Sequence, residues 1–234
     1  MVEALIHLRD HPLLAVAITL AAFLTGEIIQ RRLKGTPLAN PVVFSIISIN
    51  GFLYVSGLDY ETYLRGNGVL KFLLGPATVA LAIPLYRNFQ VIRRHWLAAI
   101  LCSIAAAAIC GFSALALTHW LGVERALALA YLPKSVSTPI ALGIADQIQA
   151  SQSLAIFFVF ATGIFGALFG PQILRMLRLD RPNGSGLALG ITCHALGVMR
   201  AIQVDDRAAA FAVLGMGLMG LAAAILLPLF AAFL

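Results

Sequence analysis

The stretch SLAIFFVFATGIFGALFGPQIL, running from Ser153 to Leu174, contains no charged residue from end to end. As an α-helix it would extend roughly 33 Å, enough to cross a hydrocarbon layer about 30 Å thick. A membrane β-barrel would show short alternating segments instead, and that alternation is absent here. Composition extends the reading outward to the whole chain. Of 234 residues, 61% are hydrophobic and 11% are charged, and the mean hydropathy is +0.94. Soluble domains run near 45–50% apolar with roughly 25% charged. The expectation is an all-α polytopic membrane protein, a single membrane domain over residues 1–234 embedded in a lipid bilayer.

Charge-free runs divide it into about eight hydrophobic segments. The first is Leu13 to Ile29, closed by Arg31, Arg32 and Lys34. The N-terminus lacks a basic leader and a small-residue cleavage site, so it reads as part of this span. The second runs from Pro41 to Ser56; the third, Phe72 to Tyr86, carries Gly75, Pro76 and Pro84. The fourth, Leu97 to Leu121, is long and Ala-rich. The fifth, Ala126 to Ile148, is interrupted by Leu132-Pro133-Lys134-Ser135-Val136-Ser137-Thr138-Pro139. The sixth is the opening stretch, whose Gly163, Gly166 and Gly170 recur at small-residue spacing suited to close helix packing. The seventh, Gly186 to Ala201, holds Thr192, His194 and Arg200, and the eighth, Ala208 to Leu234, has no charge.

The net charge of +6 belongs to the gaps between these runs. There it sets topology, and no nucleic-acid partner is implied. A shift of about 113 residues lays Arg87-Asn88-Phe89-Gln90-Val91 over Arg200-Ala201-Ile202-Gln203-Val204 and segments one to four over five to eight, an internal repeat. Arg93-Arg94 in the first copy face Asp205-Asp206 in the second, the opposite bias that inverted repeats (approximately 1–121 and 122–234) would show. The positive-inside rule places Arg31–Lys34, Arg87–Arg94 and Arg175–Arg181 in the cytoplasm, with Asp59, Glu61, Glu124, Asp205 and Asp206 outside. Parity then requires segment five to enter and leave on one side, as a discontinuous or re-entrant helix.

Charges at membrane depth cost roughly 2.5–3.5 kcal/mol on insertion scales, so they point to function. Lys134 lies between two prolines that forbid a regular helix. The unwound backbone, the ammonium and the hydroxyls of Ser135, Ser137 and Thr138 make a candidate anion site at a half-helix N-terminus. The blander reading has Lys134 snorkelling to the surface. His194 is either a packing residue or a substrate and proton ligand. Arg200 is either a substrate ligand or a marker of the membrane edge. On one helix these two face nearly opposite ways, and they converge if it breaks, for which Gly197 offers a place. Cys102, Cys110 and Cys193 all lie in apolar runs and suggest neither a disulfide nor a zinc site. No nucleophile triad, phosphate loop or metal cluster is recognisable, so neither an enzyme nor a cofactor is expected.

The block Leu132-Pro133-Lys134-Ser135-Val136-Ser137-Thr138-Pro139-Ile140-Ala141 resembles the LrgB/CidB family. The likeness continues through Ala161 to Pro171, Gly186 to Gly190, His194 to Ala201 and Gly215 to Gly220, with Gly75 to Tyr86 in the first half. Where the family commonly reads Ser-His-Gly-x-Gly-Thr-x-Arg-Ala, this chain reads Cys193-His194-Ala195-Leu196-Gly197-Val198-Met199-Arg200-Ala201. The resemblance implies an inverted-repeat transporter fold in a bacterial inner membrane and a partner of the LrgA/CidA type. It implies one of two roles. One is secondary carriage of small monocarboxylates of the pyruvate, glycolate and glycerate class by alternating access. The alternative is holin/antiholin-like modulation of murein hydrolases and autolysis. Under the first, Lys134 and Arg200 would bind the carboxylate, Ser135, Ser137, Thr138 and Thr192 would donate hydrogen bonds, and His194 would orient substrate or carry a proton. A homo-oligomer is expected in either case, and Gly-rich segment six is the expected docking face for a partner.

Overall fold

The computed structural model describes residues 12–33 and 40–234, all helices and connections with no strand among them. Residues 1–11 and 34–39, Lys34 among them, lie outside that range. The chain divides into two compact units, Met1–Leu81 and Ala82–Leu234.

The first unit holds α1 (Pro12–Arg32), α2 (Pro41–Ser56), α3 (Tyr60–Gly66) and α4 (Gly68–Ala80). Its helix ends are written in the sequence. Asn40 Oδ1 accepts from the Val42 and Val43 N–H groups, and Pro41 fills the first turn, where a missing donor costs nothing. Gly57, at φ 62°, stops α2 in the left-handed conformation that glycine adopts freely. Asp59 then caps α3 through the Glu61 and Thr62 N–H groups. Ala15, Leu58 and Tyr63 form a small core, beside which the Thr19 and Tyr63 hydroxyls lie 2.6 Å apart.

The second unit holds α5 (Ala82–Arg87), α6 (Phe89–Trp120), α7 (Arg125–Tyr131), a 3₁₀ turn (Leu132–Ser135), α8 (Thr138–Gln147), α9 (Gln152–Met176), α10 (Pro182–Ile202) and α11 (Asp206–Ala231). Ser151 caps α9 and Asp205 caps α11. Helices α10 and α11 are in backbone contact: a Cβ at Gly186 or Gly190 would run into the Ala208 or Ala212 carbonyl. Such close approach is how helices associate in hydrocarbon, where the hydrophobic effect between them is absent. The core is small-residue-rich, with Ala107, Ala141, Val159, Ala223 and Leu227 joined by Val136 from the connection ahead of α8.

Five helices, α1, α6, α9, α10 and α11, are long and apolar enough to cross a membrane. The remaining expected segments form shorter helices, for visible reasons. The second segment is halted by Gly57 at 16 residues. The third is split by a turn at Leu81 into α4 and α5, since Pro84 cannot extend a regular helix back through the preceding turn. The fifth is broken between α7 and α8. Large apolar side chains stand exposed along the long helices, Ile109 and Phe112 on α6 and Phe165 on α9 among them, a surface suited to lipid.

Candidate functional site

The break in segment five builds the site. Pro133 leaves helical geometry (φ −81°, ψ 19°), and Val136 and Ser137 are extended before α8 resumes at Thr138 with Pro139 in its first turn. The break is not loose. Leu132 and Val136, each 1% exposed, anchor its two ends in the core. Between them Lys134 is half-buried. Its Nζ lies 4.2 Å from the centroid of the Tyr131 ring and donates a long, 3.5 Å hydrogen bond to the Cys110 carbonyl. The ring of Tyr131 meets Phe158 edge-on, with centroids 5.1 Å apart.

Lys134 opens onto a cavity of about 580 Å³ between the break, α9 and α10, whose walls include Tyr131, Phe158, Thr162, Thr192 and Cys193. Thr192 donates to the Ala188 carbonyl at 2.7 Å and its oxygen lies 3.1 Å from Cys193 Sγ, so its proton is taken and one lone pair is left to accept from a ligand. The walls are otherwise mostly apolar and contain no acidic residue. An ammonium held by a ring face and a weak carbonyl contact has no counter-ion there, and such a site attracts an anion.

The other expected site residues are dispersed. Ser135 is buried and accepts a 3.7 Å contact from Cys110 Sγ. Ser137 precedes α8 without a side-chain capping bond, and Thr138 opens that helix; none of the three lines the cavity. Helix α10 does break, but at His194 and not at Gly197. His194 has φ 43° and ψ −130°, a conformation costly for any residue with a Cβ. Its ring is buried, and Nε2 donates to the Val159 carbonyl at 3.0 Å. Gly197 serves close packing instead, since a Cβ there would meet the Leu189 carbonyl. The glycine stripe of segment six is likewise occupied. Gly163 makes room for the His194 ring and Gly166 for Cys193, so α10 of the same chain covers part of the expected partner-docking face, while Gly166 and Gly170 also border the cavity.

Arg200 lies in a separate cavity of about 280 Å³, together with Arg175, Asp180 and Ser185. Its Nη1 donates to Gln203 Oε1 at 2.9 Å. Of the predicted ligands, therefore, Lys134 and Thr192 share a cavity and Arg200 does not. Tyr131, Phe158, Thr162 and Cys193 were missed. Tyr131 was recoverable, because three residues before Lys134 puts its ring on the same helical face.

The family described as LrgB-like matches residues 19–233 of the chain. The antiholin-like protein LrgB of Bacillus subtilis (strain 168) is 30% identical over 220 residues, 94% of this chain and 95% of that protein. The uncharacterized protein YxaC of the same organism is 33% identical over 209 residues, 88% of this chain and 89% of that one. The antiholin-like protein LrgB of Bacillus mycoides (strain KBAB4) is 29% identical over 224 residues, covering 95% and 97%. No solved structure matches the chain.

Proposed function

This multi-pass membrane protein belongs to the LrgB-like family, and from that membership we propose that it works as an antiholin-like regulator, restraining holin-type lesions and thereby murein hydrolase activity and autolysis. The observation that carries this reading is the nearly full-length likeness to relatives named antiholin-like LrgB. It acts without catalysis, in the bacterial inner membrane, beside an LrgA/CidA-type membrane protein and as a homo-oligomer. Its finer architecture is two inverted four-segment repeats, about 1–121 and 122–234, with segment five discontinuous. The test is co-expression with a holin-like partner of that type while autolysis is followed by turbidity. Wild-type chain should delay lysis; lysis at the unprotected rate, with the protein present in the membrane, overturns the reading.

A second reading, alternating-access carriage of a small monocarboxylate, is favoured by one observation: an unpaired ammonium and a threonine hydroxyl on the wall of a cavity beside a broken helix. Lys134 would meet the carboxylate, and Thr192, whose proton is held by the Ala188 carbonyl, would accept from a substrate hydroxyl. Purified protein in liposomes should then take up labelled pyruvate, glycolate or glycerate saturably without releasing a trapped dye. Absence of saturable uptake in correctly inserted protein removes this reading and leaves the first untouched.

A further inference from the structure

The smaller cavity contains a combination that neither reading uses. Arg175, near the end of α9, and Arg200, near the end of α10, line it together. Arg200 Nε is buried and has no hydrogen-bond acceptor among the described residues. The cost of leaving a charged donor unsatisfied in a buried site is high enough to call for an acceptor. Gln203 takes one of the guanidinium's other N–H groups, and Arg175 Nε is engaged by the Pro171 carbonyl at 3.3 Å. Asp180 also lines the cavity and offsets part of the positive charge. It forms no ion pair with either arginine among the described residues. The Ser185 hydroxyl donates to the Arg181 carbonyl, which leaves its oxygen free to accept but not to neutralise. Two guanidiniums and an orphaned N–H thus face a space whose one carboxylate, that of Asp180, pairs with neither arginine among the described residues.

The remaining walls define the ligand's other half. Pro171, Leu174, Leu189, Val204 and Ala208 are apolar. A small hydrophilic anion gains nothing from such walls, whereas an amphiphile with an anionic head uses both. The arginine-rich end of α9, with Arg175, Arg178 and Arg181, is also the end expected at the cytoplasmic face, where anionic headgroups concentrate; Val204 and Ala208 in the same walls bring the Asp205–Asp206 turn to this end as well, against the expectation that it lies outside. We propose that this cavity binds the phosphate of an anionic phospholipid, with Arg175 and Arg200 as its ligands and the apolar walls around Pro171, Leu174 and Leu189 as the seat of its acyl chains. Leu174 and Leu189 line both cavities, so the lipid seats directly against the wall of the Lys134 site.

Native mass spectrometry of the full-length protein in detergent, offered equal phosphatidylglycerol and phosphatidylcholine, tests this. Wild type should retain phosphatidylglycerol in preference, and each of R175Q and R200Q should weaken it about fivefold, the double variant about 25-fold. The R200K variant, which keeps the charge and loses the fork, should retain part of the preference. Equal retention of the two lipids by wild type, or undiminished phosphatidylglycerol binding in the double variant, overturns the proposal. A measurement on wild type alone guards against a variant that does not fold: phosphatidylglycerol should raise the unfolding temperature and phosphatidylcholine should not. If inorganic phosphate alone displaces the lipid or gives the same stabilisation, the site is one for free anions and the lipid assignment falls.

Discussion

Two helices of the second unit are broken, and the two breaks have opposite characters. Between α7 and α8 the break is made by prolines, is pinned by Leu132 and Val136, and turns a half-buried cation toward a cavity. In α10 the break falls on a residue with a Cβ, at positive φ, and the ring of that residue is packed. The His194 ring fills the space that Gly163 leaves and bonds to Val159. Local chemistry imposes the first break, which persists whatever surrounds it. The second is imposed by neighbours and costs backbone energy that packing must offset. The comparison suggests that the proline break carries function and the histidine break holds the fold.

The largest effect should come from disturbing the packed break. Gly163→Val drives a side chain into the imidazole, and overpacking of this kind costs about 3 kcal/mol. Thermal unfolding in detergent should show it as a sharply lowered Tm. His194→Ala removes the ring and its bond to the Val159 carbonyl, with an expected loss of about 2 kcal/mol. Restraint of autolysis should survive it at temperatures where the variant stays folded. A His194→Ala protein of unchanged Tm that no longer restrains lysis would reverse the roles assigned to the two breaks.

How far the sequence carried this distinction depends on what each break is made of. Pro133 and Pro139 act on their own backbone, so the interruption and the exposure of Lys134 could be read from residue types alone. The His194 break leaves no such trace, because it depends on where Gly163 and Val159 of another helix stand. Gly197 was the natural guess for a hinge, but its missing Cβ is needed against Leu189. The same limit applies to the site. That Lys134 matters was legible; that Arg200 belongs to a different cavity required the packing of α9 against α10. Hydropathy locates the long helices, while the ends of the shorter ones depend on turn chemistry such as Gly57, which hydropathy does not register.

A smaller change sharpens the proline break. A half-buried ammonium without a counter-ion is a stability cost, and replacing it by an apolar side chain of similar length is often neutral or stabilising. Lys134→Met should therefore leave Tm unchanged or slightly raised while abolishing saturable carboxylate uptake. Lost activity with an equally large fall in Tm would mean that Lys134 holds the fold as His194 does. Least of all should come from Glu27→Gln in the first unit. It breaks an exposed 2.6 Å pair with Arg31, and such pairs contribute within about 0.5 kcal/mol. A Tm shift comparable to that of His194→Ala would show the pair to be coupled to something beyond its own helix.

The contact of α10 with α11 has a mechanical consequence. Where two backbones touch at Gly186 and Gly190, neither helix can slide or roll past the other without a steric collision. The pair must travel as one rigid body, and side-chain rearrangement cannot loosen it. Both cavities lie on the α9 side of that pair, with α9 and α10 each contributing to their walls. Where α9 and α10 share a cavity wall, a change in its width is thus a displacement of α9 relative to a fixed block, and a cross-link joining α9 to α10 would arrest that motion in both cavities at once.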